Sequence, residues 1–488
     1  MIRLTSTPRA LVIGAGIGGL SAAMRMAAAG VAVTLLEAAA TPGGKLRRLP
    51  GGPTGVDAGP TVFTLKAVFE QLFADCGLDL ARYVQLAPLG VLARHGWPDG
   101  SQLDLFADRD ASAEAIGAFA GANAARGYRA FMQQAEAICH TLDQPFMQSP
   151  HPTPFGLVRQ AGIGAMLQTR PFQTLWQALG RYFPDPRLRQ LFGRYATYCG
   201  SSPFQAPATL MLIAHVEQAG LWHILGGMHC LAQGMQAAFE DLGGHVRLNA
   251  RVTSIETRHG GVSGVTLASG EFLPADIVVA NADREALASG LFGHEALRAV
   301  PSMPKGGRSL SAITLTGEAT LTGFPLEHHN VLFSADYPAE FTALAAGRVP
   351  ESPTLYLCAQ DRHGETVPGP GAPERFLMLI NAPSRGDDAR SGLPEGDECR
   401  RLMTETLARH GLTMDPAESP IQLTRPQEFA ALFPGTGGAL YGMATHGAMA
   451  SFRRPTARSR LPGLYLAGGS IHPGPGLPMV ALSGRMAA

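Results

Sequence analysis

The sequence is short of the features that would assign it at sight. Its 488 residues hold 39 basic and 39 acidic side chains, for a formal net charge of zero. Neither sign is in excess, so nothing draws in nucleic acid or an acidic polymer, and no nucleic-acid partner is expected. Charged residues make up only 16%, against 45% hydrophobic, which points to a large buried area or an apolar surface patch. The six cysteines (Cys76, Cys139, Cys199, Cys230, Cys358, Cys399) are scattered, without a C-x-x-C or a close pair. That excludes a disulfide frame and reads as reduced thiols in a cytoplasmic protein. There is no H-E-x-x-H and no zinc-like spacing, so no metal is expected. Without a G-x-S-x-G there is no hydrolase nucleophile elbow. No apolar run has the length and continuity of a spanning helix, so any membrane contact is expected to be peripheral. Arg3 and Arg9 precede an apolar run, as in a secretory leader. Glycines and Arg25 interrupt that run and no cleavage site follows, so a leader is not expected.

Residues 11–37 are the most informative stretch. Leu11-Val12-Ile13 reads as a buried parallel strand. Gly14-x-Gly16-x-x-Gly19 and an alanine-rich helical run follow, then a β-branched run over residues 31–36 ending on Glu37. Strand, glycine turn, helix, strand and acid in that order are a dinucleotide-binding unit. Gly14 makes the tight turn, Gly16 admits a pyrophosphate to the backbone, and Gly19 lets helix pack on strand. The helix start holds the pyrophosphate through its free N–H groups and dipole. Glu37 accepts hydrogen bonds from ribose hydroxyls and would repel a 2′-phosphate, which favours FAD or NAD over NADP.

Further along, Pro42-Gly43-Gly44-Lys45 is a turn whose lysine either lies near phosphate or is simply solvated. A helix is expected over residues 66–77, and alternating runs at 91–94 and 102–106 suit a small sheet outside the nucleotide domain. Residues 111–142 read as helices, 145–154 as a proline-rich loop, and 155–225 as helical and unusually apolar. Single aromatics in that block read as core; the block as a whole suits a ligand tunnel. Gly226-Gly227-Met228 opens a helix running through Phe239. Short strands follow at 246–248, 252–255, 264–267 and 277–280, and Asp283 is placed to cap the next helix. Strands at 312–315, 331–333, 354–358 and 376–380 suit the antiparallel sheet of a substrate domain. A helix is expected over 398–410. Residues 463–469 are a strand meeting a glycine turn, followed by Pro478 near a helix start at about Val480. Two strand–glycine–helix units at opposite ends of the chain favour a long cofactor, FAD. The fold class expected is therefore α/β, with a Rossmann-like FAD-binding domain (residues 1–85, 226–288 and 434–488) interleaved with a substrate and membrane-contact region (residues 86–225 and 289–433).

GAGIGGLSAA with Glu37, the Pro42-Gly43-Gly44-Lys45 turn, Asp57-Ala58-Gly59-Pro60, Gly226-Gly227-Met228 and the C-terminal YLAGGSIHPGPGLPM together resemble the bacterial phytoene-desaturase family. That family lies among the amine-oxidase-like flavoproteins. RYATYCGSSPFQAPATL, LFPGTGGALYG and GGSIHPGPGLPMVALSG are similar to its 1-hydroxycarotenoid 3,4-desaturases (methoxyneurosporene dehydrogenases) of photosynthetic bacteria. The resemblance implies non-covalent FAD, a long polyene substrate, peripheral membrane attachment, and reoxidation by oxygen or a quinone. It implies that Gly14, Ala15, Gly16, Gly18, Gly19 and Glu37 hold the ADP half, with the Val252 backbone on the adenine. Gly43, Gly44, Lys45, Gly59, Pro60 and Thr61 would line the flavin side, and Gly468, Gly469, Leu477, Pro478 and Met479 would meet the ring and ribityl chain. Ser470 stands where the wider amine oxidases carry an acid, and no cysteine lies in the last motif, which counts against amine substrates and covalent flavin. Other carotenoid desaturases or isomerases, porphyrinogen or amine oxidases, and a flavin-free prenyl-binding escort are the alternatives. No catalytic residue is assigned: His223 and His229 flank the glycine pair Gly226-Gly227 but read as structural histidines.

Overall fold

A computed structural model describes residues 8–488 apart from Pro53, Lys305, Glu418 and Ser419. The first apolar run forms the strand Arg9–Ile13, central in a five-stranded sheet. The order is His245–Arg247, Ala32–Leu36, Arg9–Ile13, Ile277–Ala280, Leu464–Leu466. All its pairings are parallel, with Val12 opposite both Leu35 and Val279. Both faces are covered, which is why these strands are apolar throughout. Ala10, Val12, Leu35 and Val279 pack under the helices Ile17–Ala28, His229–Asp241 and Leu477–Ala487. Leu11, Ile13, Leu36, Val278 and Leu466 pack on the antiparallel strands Val252–Arg258, Gly261–Leu267 and Phe272–Pro274. Asp283 caps the helix Arg284–Ala288, its Oδ1 accepting the Glu285 N–H at 3.0 Å.

The second sheet has eight strands. Seven run in the order Thr413–Pro416, Ser311–Thr322, Glu374–Ala382, Leu355–Ala359, His329–Leu332, Val91–Gly96, Gln102–Phe106, and Gln422–Thr424 also pairs with Ser311–Thr322. The runs at 91–94 and 102–106 therefore do not build a separate small sheet, as the sequence suggested. Val91–Gly96 pairs in parallel with His329–Leu332 and closes an edge that would otherwise leave backbone groups unpaired. One face carries Ile313, Leu315, Leu332, Leu357, Phe376 and Met378 against Cys399, Met403 and Leu407 of the helix Gly396–Arg409. The opposite face bears polar side chains in two rows. Thr316, Leu377, Cys358 and His329 are successive cross-strand partners, as are Thr314, Leu379, Tyr356, Val331 and His95.

That polar face looks toward the helical block. Val331 and Phe333 share a core with Tyr128, Phe131, Phe183, Phe192 and Tyr195. The long helices Arg109–Ala120 and Ala122–Leu142 appear where expected. Residues 155–225 do not form long helices. Pro171, Pro184, Pro186, Pro203 and Pro207 divide them into short helical turns, since proline cannot donate to an interior turn. The block ends in a strand, Leu221–Ile224, paired with Phe63–Thr64 and Leu86–Pro88. A segment of only four residues, Leu-Trp-His-Ile, does not by itself distinguish a strand from a buried helical turn. The final helix begins at Leu477, earlier than expected, with Pro478 in its first turn.

Candidate functional site

The carboxyl ends of Arg9–Ile13 and Leu464–Leu466 flank that of Ile277–Ala280, and both outer strands run into a glycine loop and a helix. Open α/β sheets bind ligands at this end. Asn281, the residue after the middle strand, is wedged between the loops. A Cβ on Gly16 would come within 2.8 Å of its Nδ2, and one on Gly18 within 2.6 Å of its Oδ1 and 3.1 Å of the Gly468 nitrogen. Asn281 Oδ1 is buried without a hydrogen-bond partner. No side chain caps the helix Ile17–Ala28 or the helix Leu477–Ala487, and neither has an acid in its first turn. Their free N–H groups therefore suit an anionic ligand. Glu37 Oε2 accepts the Ala15 N–H at 2.7 Å and Oε1 the Ala39 N–H at 2.8 Å, which fixes the carboxylate beside the first loop. Uncapped helix starts, loops too tight for a Cβ, an unpaired amide oxygen and a fixed acid fit a dinucleotide.

The turn at residues 43–45 runs beside the first glycine loop. Gly43 N–H donates to the Ala15 carbonyl at 2.8 Å, and Gly44, at a φ of 58°, faces Gly16. Lys45 does not reach toward the first loop. Its Nζ donates to the Leu440 carbonyl at 2.7 Å and lies 5.4 Å from the Phe433 ring centre. Burial pushes its pKa down, partly offset by Asp283. A Cβ on Gly59 would overlap the Lys45 carbonyl, so residues 59–61 run alongside 43–45. Pro60 is exposed at that turn. Gly468 N–H donates to Ser483 Oγ at 3.2 Å, and Gly469 carbonyl accepts from Arg454 Nη1 at 3.0 Å. Leu477 and Pro478 are buried and Met479 half-buried in the last helix's first turn. Val252 lies on the other side of the sheet, opposite Leu267, and reaches Glu37 through Ala250, whose N–H donates to the Glu37 carbonyl at 2.7 Å.

His223 and His229 are both packed in. His229 Nδ1 lies 2.8 Å from the Leu46 carbonyl, and the Met228 and His229 N–H groups donate to Asp57. His223 stacks on His363 at 4.2 Å, and burial followed by His328 and His363 pushes its pKa to about 3.

Two polar centres were not legible in the sequence. Thr61 Oγ1 hydrogen-bonds Tyr356 Oη at 2.7 Å, and Tyr356 Oη bonds His329 Nδ1 at 2.7 Å. His328 Nε2 sits 3.6 Å from Cys358 Sγ, so His328, His329 and Cys358 bring their ligating atoms close together despite a sequence spacing unlike a metal site. Nearby, Glu217 accepts hydrogen bonds from Tyr195 at 2.5 Å and Tyr198 at 2.6 Å. Arg194 donates to Tyr198 at 3.0 Å and stands 3.6 Å from Glu217, both ions buried. Arg454 is also buried, tying the Tyr441, Met443 and Gly469 carbonyls together. It joins two segments that the sequence showed only as separate motifs.

The chain is 48% identical over 487 residues to a hydroxyneurosporene desaturase of Rubrivivax gelatinosus, covering 99% of this chain and 93% of that one. A protein of the same name from Cereibacter sphaeroides is 46% identical, with 99% and 97% covered. A 4,4′-diapolycopene oxygenase of Methylomonas is 31% identical, with 98% and 97% covered. Among solved structures, an oxidoreductase from Methanosarcina mazei aligns at a TM-score of 0.61 with 15% identity, over 98% of this chain and 99% of that one. Putrescine oxidase bound to putrescine aligns at 0.59 with 15% identity, over 99% and 97%. These structural likenesses speak for the fold: the α/β fold read from the two glycine units is of the amine-oxidase type that the resemblance implied. Residues 17–488 match the family described as flavin containing amine oxidoreductase. The chain belongs to the flavin containing amine oxidoreductase family and is an FAD-dependent oxidoreductase.

Proposed function

We propose that this chain is a carotenoid desaturase that introduces a double bond at C3–C4 of a 1-hydroxy carotenoid such as hydroxyneurosporene. The observation that carries this reading is the 48% identity to a hydroxyneurosporene desaturase over nearly the whole of both chains. On this reading, residues 1–85, 226–288 and 434–488 form the FAD-binding unit and the rest receives substrate. The N–H groups at the start of Ile17–Ala28 hold the pyrophosphate, and Glu37 orients the adenosine ribose. Residues 43–45, 59–61, 468–469 and 477–479 line the ring side, and the Val252 backbone meets the adenine. Bound FAD supplies a two-electron acceptor for a hydride leaving carbon. A proton leaves the neighbouring carbon, and the conjugated chain spreads the positive charge, so the demand on a protein base is small. The polyene lies between the polar face of the large sheet and the aromatic helical block, which excludes water from it. Oxygen or a quinone then takes the electrons.

The test is to express the chain in a bacterial host that makes 1-hydroxyneurosporene and to analyse its pigments. A product with one further conjugated double bond is expected. Unchanged pigment, or a product oxygenated at a terminal methyl, would overturn the reading.

A water-insoluble substrate must be taken from lipid, and the surface offers a landing face. The helices Pro154–Ala161 and Ile163–Gln168 and the following turn expose Phe155 (77%), Ile163 (69%), Leu167 (61%) and Phe172 (83%). Among the described residues no helix is long and apolar enough to cross a membrane, so this contact would be peripheral. Inserting one phenylalanine into lipid is worth about 1.5–3 kcal/mol. The double substitution Phe155→Ser, Phe172→Ser should therefore lower partition onto liposomes at least about tenfold. Flotation of the two proteins with vesicles measures this, and equal partition would remove the face from the proposal.

A further inference from the structure

On the face toward the helical block, His329 Nε2 shares its unpaired state with His95 Nε2 and the Thr314 and Thr316 hydroxyls, and differs from them in being tied through Tyr356 to Thr61. His329 is 3% exposed, and its Nε2 is buried without a hydrogen-bond partner. The ring cannot turn to find one, because Tyr356 holds Nδ1 at 2.7 Å and is itself held by Thr61 at 2.7 Å. Thr61 belongs to the segment that runs alongside the Gly43–Lys45 turn. The imidazole is thus two hydrogen bonds from Thr61, which the reading above puts on the ring side of the cofactor, and lies on a sheet face shared with Val331 and Leu379. Burial, then His328 and the Arg194 guanidinium, hold its pKa well below the ordinary histidine value, so the ring is neutral at pH 7. Leaving one buried polar atom unpaired costs about 1–3 kcal/mol. A site that bears that cost in the free protein recovers it when a ligand supplies the missing partner.

We propose that His329 Nε2 is the hydrogen-bond partner of the hydroxyl on the substrate's end group, and that it sets the preference for hydroxylated over purely hydrocarbon polyenes. This rests on the desaturase reading above. If the reacting bond is C3–C4, only C2 separates it from the carbon that carries the hydroxyl. The hydroxyl then has to lie beside the cofactor edge, where a hydrocarbon wall would leave it unpaired. An alcohol also suits the histidine in either tautomer. With the proton on Nδ1, Nε2 offers a lone pair to the O–H; with the proton on Nε2, it donates to the hydroxyl oxygen. A hydrocarbon end group leaves the imidazole unsatisfied, and sites built around a substrate hydroxyl reject analogues lacking it strongly.

The test compares 1-hydroxyneurosporene with neurosporene, each in phosphatidylcholine vesicles, on the flavin-loaded full chain. Wild type is expected to favour the hydroxylated polyene in kcat/KM. In His329→Leu that ratio should collapse about 30- to 100-fold, equivalent to the loss of one buried hydrogen bond. In His329→Gln, whose amide replaces the imidazole as a hydrogen-bonding group, a good part of the ratio should return. Flavin content and the thermal midpoint report folding independently. If His329→Leu does not hold flavin, Tyr356→Phe, which frees the ring at Nδ1, should lower the same ratio. A wild type active on both polyenes without preference, or variants that slow both equally, would overturn the assignment and leave the desaturase reading standing. A wild type inactive on both would remove the desaturase reading and the assignment with it.

Discussion

Gly19→Ala should yield a protein that leaves gel filtration depleted of its flavin. Gly19 lies in the first turn of the helix Ile17–Ala28, where that helix crosses the end of the strand Arg9–Ile13. A Cβ there would overlap the Gly14 carbonyl oxygen and come within 3.1 Å of the Asn281 Cβ. Neither neighbour can yield. Gly14 is the tight turn itself, at a φ of 93°, and the Asn281 N–H is bonded to the Ile13 carbonyl at 2.8 Å. The helix start must therefore move away from the sheet, and its N–H groups move with it. Overpacking of this kind costs about 1–3 kcal/mol in a packed core. Here the strain falls on the anion cradle, so flavin affinity should drop by about 5- to 150-fold, since each 1.4 kcal/mol is tenfold. The control is Gly164→Ala, in a short surface helix with nothing near the added methyl, which should keep full absorbance at 450 nm. Equal flavin content in the two variants would show that the close helix–strand contact is not what holds the cofactor.

Gly19 and Glu37 were legible because their signal is local. A glycine triplet, a strand before it and an acid after the next strand all fall within one span of residues 11–37. The same is true of Asp283, whose cap needs only the two residues that follow. What the sequence did not disclose depends on register across the large sheet. Thr61, His329 and Tyr356 lie on three separate stretches. They meet only because Val331 pairs with Tyr356 and places His329 beside it on the same face. A strand pattern read from alternation says which residues share a face, but not which strand lies opposite. Asn281 closes its strand unremarked for a similar reason. Its role is set by two glycine loops that come from opposite ends of the chain. The runs at 91–94 and 102–106 were recognised as strands but given the wrong neighbours, because the parallel partner His329–Leu332 follows only after the helical block and several strands of the nucleotide unit, and nothing local marks that pairing. The resemblance to the desaturases did locate the segments that converge here. RYATYCGSSP supplies Arg194 and Tyr198, and LFPGTGGALYG supplies the Leu440 carbonyl that receives Lys45.

Glu217→Leu should be the most destabilising single change at the polar centre, and replacing Arg194 together with it should be much milder. The Glu217 carboxylate is the common acceptor for Tyr195 and Tyr198 and the only acid beside the buried Arg194 among the described residues. Removing it leaves two phenols without an acceptor and a guanidinium without a countercharge. Arg194 Nε and Nη2 already lack hydrogen-bond partners, so no reserve acceptor waits nearby. Breaking a buried ion pair from one side costs about 3–5 kcal/mol, whereas exchanging both members for apolar side chains of similar size is often near neutral. Urea unfolding followed by tryptophan fluorescence should therefore place Glu217→Leu well below wild type, and Arg194→Met, Glu217→Leu nearer to wild type than either single variant. Additive losses in the double variant would mean that the two ions contribute independently. The charge also acts beyond stability. Arg194 is one of the groups that keeps the His329 imidazole neutral, so the double variant should raise the His329 pKa toward its ordinary value. A proton NMR titration of the imidazole would register that rise. It separates the electrostatic role of Arg194 from its packing, because a purely structural arginine would leave the midpoint where it was.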